Sequence, residues 1–333
     1  MRPAADWVPF VWPADWHDTA KLDIVRNTPF NCAVGDDITP DIADALEKNG
    51  IDTISLKHAP VTVLKDARWP QVQTGSKGNT DAGPTGNPWI DANGFAIQAA
   101  RALAPGKPVW VNEATPTKRV LRPDDYCLAV CDAAAYGGHW LPSPEEDAWP
   151  HIVAAQKLFV EHPEWQAYKP VARLAVISDF AEPHYDLAIE TLNLLTRLYV
   201  PFEIVPRARA AAFPLVLDLD HQDASTDPWE LATRTHEKLG RRNDVFRLWN
   251  GGSLNAHFTV SPKGGAALLQ LINYAARAPG QAVTAGVMSK YGSARIITLE
   301  HPQGQTIELH HVRDGVEIYA PRFSVYAAIE LMR

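Results

Sequence analysis

The chain has 333 residues, 46% of them hydrophobic and 21% charged, enough to bury a substantial core and to form two or three domains. A net charge of −8 without a Lys/Arg run argues against nucleic acid or an anionic membrane as the main partner. No apolar run approaches the roughly 20 residues of a membrane span, and no basic-then-apolar leader opens the chain, so a soluble protein is expected, with export left open.

In chain order, residues 6–18 are aromatic-rich (Trp7, Phe10, Trp12, Trp16) and interrupted by Pro9 and Pro13, which predicts a short strand or a packed loop. Residues 28–34 read as a strand, with Asp36 and Asp37 just past its end. A helix follows: Thr39 is its N-cap, Pro40 its first residue, Ile42, Ala45 and Leu46 its apolar face, and Gly50 its stop. Residues 51–56 predict a second strand, leading into Lys57 and His58. Residues 59–88 are rich in Gly and Pro, with Trp69 and Trp89 near the ends; so long a connection is usually functional or disordered. It follows a strand end, so one reading folds it over a site as a substrate loop and the other leaves it a surface insertion.

Residues 91–104 predict a helix stopped by Pro105-Gly106. Lys107-Pro108-Val109-Trp110-Val111-Asn112-Glu113 is a buried strand that ends abruptly in an Asn-Glu pair. A helix opens at Arg122-Pro123-Asp124-Asp125 and runs to Ala135, and residues 136–142 form the next strand. Cys127 and Cys131 lie four apart on that helix, and with Cys32 they read as small core residues rather than a metal or redox pair. After an acidic turn at 144–149, residues 151–168 are helical, and Pro170 marks a domain boundary.

From Val171 the pattern restarts as strand (173–178), helix (187–198) and strands (202–205, 214–219), a small parallel sheet with right-handed crossovers. No glycine-rich phosphate motif opens its helix, so no nucleotide cofactor is expected. Asn250-Gly251-Gly252-Ser253 reads as a tight loop and residues 265–276 as a final helix. Beyond Gln281 the texture is that of strands (294–300, 305–312, 316–319, 324–331) joined by turns at His301–Gly304 and Asp314-Gly315. His310 and His311 are neighbours on a strand, point to opposite faces and make a poor metal pair, so no metal is expected.

The strand ending in Asn112-Glu113, the helix after it and the strand ending in Trp140 resemble the last two βα units of clan A glycoside hydrolase barrels. In that family the seventh strand ends in the nucleophilic Glu, and a Trp after the eighth forms the floor under the sugar. The resemblance therefore implies Glu113 as nucleophile and Trp140 as platform. Asn112-Glu113 also resembles the fourth-strand Asn-Glu pair of the same clan, whose Glu is the acid/base. The Gly137-Gly138-His139-Trp140 strand and the module order favour the seventh-strand reading. That order is similar to the layout of family 42 glycoside hydrolases, the β-galactosidases: a barrel, an amidotransferase-like trimerisation domain and a β domain. The tail Gly315-Val316-Glu317-Ile318-Tyr319-Ala320-Pro321 resembles the end of such enzymes.

The implied architecture is α/β: a partial or truncated TIM-like (β/α) barrel over 1–169, a flavodoxin-like parallel-sheet domain over 170–280 and a small antiparallel β domain over 281–333. The barrel is short, with four strand units where a full one takes about 250 residues. The implied activity is hydrolysis of a β-linked sugar, which needs a second carboxylate about 5–5.5 Å from a nucleophile in a retaining enzyme. Asp36, Asp37, Asp81 and Glu145 are the candidates, and Asp37 is taken as the partner. Asn112, Trp140, His139, Trp69, His58 and Asp36 are the expected sugar contacts. Each has a structural alternative: Glu113 as a cap or ion pair, Trp110 and Trp140 as core, His58 and His139 as hydrogen-bonded scaffold. The other readings are a non-catalytic relative that binds carbohydrate or assembles, and an amidotransferase-like hydrolase at Ser178. Exposed edges of an open half-barrel predict a homo-oligomer, dimer or trimer.

Overall fold

The computed structural model describes residues 2–73, 88–116, 120–144, 147–275 and 282–333. Its first part runs β1 (Pro9–Val11), α1 (Leu22–Val25), β2 (Cys32–Val34), α2 (Pro40–Lys48), β3 (Asp52–Ile54), β4 (Thr62–Val63), β5 (Gln71–Val72), β6 (Ile90–Asp91), α3 (Gly94–Leu103), β7 (Val109–Val111), α4 (Pro123–Ala135), β8 (Gly138–Trp140) and α5 (Trp149–Glu161). Strands β1-β2-β3 form one parallel sheet and β4-β7-β8 another. The amide of Val11 donates to the Pro142 carbonyl at 2.8 Å, joining them edge to edge in the order β3-β2-β1-β8-β7-β4. The long connection expected over 59–88 thus carries strand β4, which was too short to show a pattern.

The two faces of this sheet hold different cores. Phe10, Ala33, Val109, Val111 and Trp140 point towards α4 and α5. Trp7, Cys32, Val34, Trp110 and Leu141 close the opposite face. Trp7 and Trp110 meet there with ring centroids 5.9 Å apart, and burying each ring contributes roughly 2–3 kcal/mol. A flat sheet would hold β2 and β7, three steps apart, about 14 Å from each other. The large Trp7 ring helps to bridge that gap, packing on Trp110 of β7 in the cluster that also holds Cys32 and Val34 of β2.

Helix α3 is buried on two sides. Ile97 faces the first core, while Phe95 and Ala99 enter the core of the next unit. Its first residue, Gly94, lies against the fully buried Tyr136, and an added Cβ would stand 2.2 Å from that ring. Gly94→Ala is expected to cost about 1–3 kcal/mol by overpacking, read as a lowered urea midpoint at unchanged slope. A loss below 0.5 kcal/mol would show that Tyr136 has room to move.

The middle part comprises β9 (Lys169–Pro170), β10 (Leu174–Ile177), α6 (Tyr185–Arg197), β11 (Phe202–Ile204), α7 (Arg207–Ala210), β12 (Leu215–Asp218) and α8 (Pro228–Leu239). A parallel sheet of order β11-β10-β12 is covered by α6, α8 and α3. The remaining strands are β13 (Phe246–Trp249), β14 (Leu254–Val260), β15 (Ala266–Asn273), β16 (Val283–Val287), β17 (Ser293–Thr298), β18 (Gln305–Ile307), β19 (Leu309–Val312), β20 (Gly315–Ala320) and β21 (Tyr326–Met332). They form a six-stranded sheet, β18-β17-β21-β15-β14-β9, and a four-stranded sheet, β13-β16-β20-β19, packed face to face.

Strand β15 corrects the helix expected over 265–276. Ala267, Leu269 and Leu271 enter the sandwich core, while Leu268 and Ile272 face the first core. A strand buried on both faces has no polar alternation, and its apolar run imitates a helix. The helix expected over 151–168 likewise stops at Glu161, because Pro163 opens a separate 3₁₀ turn.

Candidate site at the carboxyl ends of the parallel strands

The chemically active side chains of the first unit collect where its parallel strands end. Asp36 and Asp37 follow β2, Lys57 and His58 follow β3, and Asn112 and Glu113 follow β7. All six are exposed. Glu113 makes no hydrogen bond or ion pair with the described residues, so its carboxylate is open to solvent. Its backbone is anchored: Trp69 Nε1 donates to the carbonyl of the next residue, Ala114, at 2.7 Å.

Asp36 is differently placed. Lys57 Nζ lies 2.8 Å from one of its oxygens, and the Ser55 hydroxyl donates to the other at 2.5 Å. Both contacts hold its carboxyl below the usual range. A general acid must carry its proton near neutral pH, so Asp36 suits an acceptor for hydroxyl groups and not a proton donor. Lys57 is in turn held protonated, by Asp36 first and also by Asp37. Asp37 thus shares the lysine's field while remaining exposed.

The aromatic residues expected under a sugar are arranged otherwise. Trp140 is 3% and Trp69 8% exposed, and the two rings meet edge to face at 4.8 Å. Trp69 also packs on Tyr126 of α4, 5.4 Å away. As arranged, neither offers a free face to a ligand; they brace the β7 and β8 ends from the helix side. His139 pairs across the strands with Trp110, on the face away from α4 and α5, and is half-buried. Burial, with Arg101 nearby, lowers its pKa to about 4, so it is neutral at pH 7. His58 lies on the surface beside Asp36. Asp81 and Glu145 lie outside the described residues. Ser178 accepts from the amide of Phe180, while His184 pairs with the Gln222 carbonyl, so the two are not coupled.

In sequence, the chain matches no protein-family model and no curated protein. In three dimensions it superposes on an α-L-fucosidase, isoenzyme 2, from Paenibacillus thiaminolyticus, at 9% identity and a TM-score of 0.52, over 87% of this chain and 70% of that one. The fold is glycosidase-like. A β-galactosidase from Rahnella sp. R3 matches at 8% identity and TM-score 0.44 over 88% of this chain and 66% of that one. An α-fucosidase from Thermotoga maritima matches at 9% and 0.39, over 98% and 81%.

Behind the strand ends of this glycosidase-like fold lies a buried polar chain that sequence reasoning missed. Arg197 of α6 donates to Asn255 Oδ1 at 3.0 Å, and Asn255 Nδ2 reaches the Tyr274 hydroxyl at 3.5 Å. That hydroxyl donates a short bond to Asp132 in α4. Asp132 also accepts twice from Asn93, from the backbone and side-chain nitrogens, each at 2.9 Å. Asn93 then holds the backbone of Arg68, next to Trp69, through paired bonds of 2.9 Å. The visible signal was a lone carboxylate inside the apolar run Cys127–Ala135. Burial raises the Asp132 pKa to about 6 against the pull of these donors.

Among the described residues, His162, Glu164 and Glu330 gather three donor atoms within 4.8 Å of one another. Glu330 already accepts from Trp165 Nε1 at 3.0 Å and faces Arg295 at 3.7 Å, which satisfies its charge without an ion.

Proposed function

We propose that this chain is a glycoside hydrolase-like protein acting on a β-linked sugar at the carboxyl ends of its parallel strands. Glu113 supplies the nucleophile or base, Asp37 the acid/base partner, and Asp36, Asn112, His58 and His139 the polar surroundings. The observation that carries this reading is an exposed carboxylate on a backbone braced by Trp69, at the same carboxyl-end edge of the sheet as Asp36 and Asp37. Product stereochemistry distinguishes a retaining pair, with carboxyls about 5–5.5 Å apart, from a water-bridged inverting pair, about 6.5–9.5 Å apart. Trp69 and Trp140 act one layer back, as supports.

The order of units supports a family 42-like layout of a partial barrel, a flavodoxin-like unit and a β domain, with β13–β15, expected in the middle unit over 170–280, and the boundary strand β9 paired into the sheets of the β domain. Strands β3 and β4 end the sheet, and no described strand pairs with their outer edges. Such edges favour a dimer or trimer, checked by light scattering at micromolar concentration.

The test is hydrolysis of a panel of aryl β- and α-glycosides by wild type and Glu113→Gln. The variant is expected to lose about 10²–10⁴-fold in kcat/KM, and NMR of the wild-type product reports inversion or retention. Turnover that survives in Glu113→Gln removes Glu113 from the mechanism. A non-catalytic saccharide-binding role is the second reading, favoured by Asp36, held ionised by Lys57 and Ser55 as an acceptor for hydroxyl groups. Absence of turnover on every glycoside, with both proteins folded, selects it.

A further inference from the structure

The outer face of the four-stranded sheet carries an aromatic row away from the strand-end site. Trp249 on β13 pairs with Thr284 on β16, which pairs with Tyr319 on β20, so all three side chains stand on one face in a single line. The two rings are 44% and 57% exposed, unlike Trp7, Trp69, Trp110 and Trp140, which are buried. They stand two strand steps apart, about 10 Å, with Thr284 between them.

Each ring is held in place. A Cβ on Gly286 would lie 3.1 Å from the far edge of the Trp249 six-membered ring, so that ring leans across a bare glycine and presents its other side to solvent. His310 meets Tyr319 edge to face at 5.1 Å. Glu317 and His310, cross-strand partners, share the face, as does Arg247, which pairs across to Gly286 and whose guanidinium is bound to Asp244 at 2.6 Å.

We propose that this face is a second carbohydrate-binding site, taking a neutral oligosaccharide laid across β13, β16 and β20. The chemistry favours that occupant over a protein partner. A protein-docking patch wants contiguous apolar area, whereas here two rings are separated by a hydroxyl and flanked by a carboxylate and an imidazole. The apolar faces of sugar rings stack on aromatic rings, and their equatorial hydroxyls need both donors and acceptors, which Thr284, Glu317 and His310 supply. Rigid rings lose little entropy on binding. The choice of saccharide as ligand rests on the proposed glycosidase-like function, but the site is separate from Glu113.

The experiment is affinity electrophoresis of the full chain in gels containing soluble glucan, xylan or galactan. Titration with the corresponding tetrasaccharide follows, with tryptophan fluorescence as readout. Wild type is expected to be retarded by at least one polymer, and Trp249→Ala and Tyr319→Ala each to weaken binding about tenfold or more. Gly286→Ala, which displaces the Trp249 ring, is expected to weaken it too, while Glu113→Gln binds as wild type. Trp249→Ala and Tyr319→Ala should hydrolyse a small aryl glycoside at the wild-type rate, so loss of the strand-end activity and loss of this site are told apart. Unchanged retardation in both ring variants overturns the proposal, as does wild type that no polymer retards. A ring variant that changes oligomer size and not polysaccharide binding overturns it in favour of a protein contact.

Discussion

Arg197→Met is expected to destabilise the fold by about 3–5 kcal/mol, a large share of the roughly 5–15 kcal/mol that holds a domain folded. The guanidinium is 3% exposed and serves four oxygens: Leu254 O at 2.8 Å, Asn255 Oδ1 at 3.0 Å, Pro88 O at 3.1 Å and Gly252 O at 2.8 Å. It therefore ties α6 to the 250–253 loop, to the start of β14 and to Pro88. Methionine keeps most of the packing but leaves those acceptors without donors, and each buried unmet acceptor costs about 1–3 kcal/mol. Lysine restores the charge but offers one compact ammonium where a planar fork spans several acceptors, so Arg197→Lys should recover only part of the loss. Urea denaturation of the three proteins at pH 7 measures this. A loss under 1 kcal/mol in Arg197→Met would show that water satisfies the loop carbonyls.

The second large effect is acid lability. His139 is lowered to about 4 and His257 to about 3 from an ordinary 6.5, both by burial first and then by the positive charge of Arg101. Folded-state values below the unfolded value mean that the unfolded chain binds these protons first. Stability is fully present above pH 6.5 and drains as pH falls towards 4. Asp132 works the other way: raised from 3.8 to about 6, it contributes fully below pH 3.8 and loses that contribution as pH rises to 6. Between pH 6 and 4 two histidines oppose one aspartate, each responding group moving stability by about 1.4 kcal/mol per pH unit. Since both imidazoles are half-buried and partly screened, the net loss is expected near 1 kcal/mol per pH unit. His257→Gln should flatten the acid limb, and Asp132→Asn should steepen it by removing the opposing group. A stability curve flat from pH 6.5 to 4 would show that neither imidazole is shielded as its surroundings imply.

Asp132 and Arg197 also show where sequence reasoning stopped. Each sits on a helix that the sequence located, and each interrupts an apolar pattern. What a charge inside such a run is for depends on what it meets: Asn255 and Tyr274 lie far along the chain, and no local pattern carries that pairing. Trp69 and Trp140 illustrate the same limit. Their positions at strand and loop ends suggested platforms, but only packing could decide that the rings face each other, with Trp69 Nε1 fixing the backbone behind Glu113.

Local signals were enough for the elements they govern. Pro40 and Pro123 at helix starts and the Asn112-Glu113 break after Val111 placed α2, α4 and β7 within a few residues. Strand and helix stops are short-range matters of φ, missing amides and capping. Burial on both faces is not. It erased the alternation of β15 and turned a central strand into an apparent helix, whereas the two-residue β4 was too short to show a pattern in its Gly/Pro-rich connection. The sequence by itself determined an α/β chain with carboxylates at the ends of parallel strands and an antiparallel tail. Only the tertiary structure decided that Asp36 is neutralised by Lys57 while Glu113 stands open, and that Trp249, alone among the strand tryptophans, presents itself to solvent. Which charges meet and which rings are covered depends on long-range packing, and no local propensity encodes it.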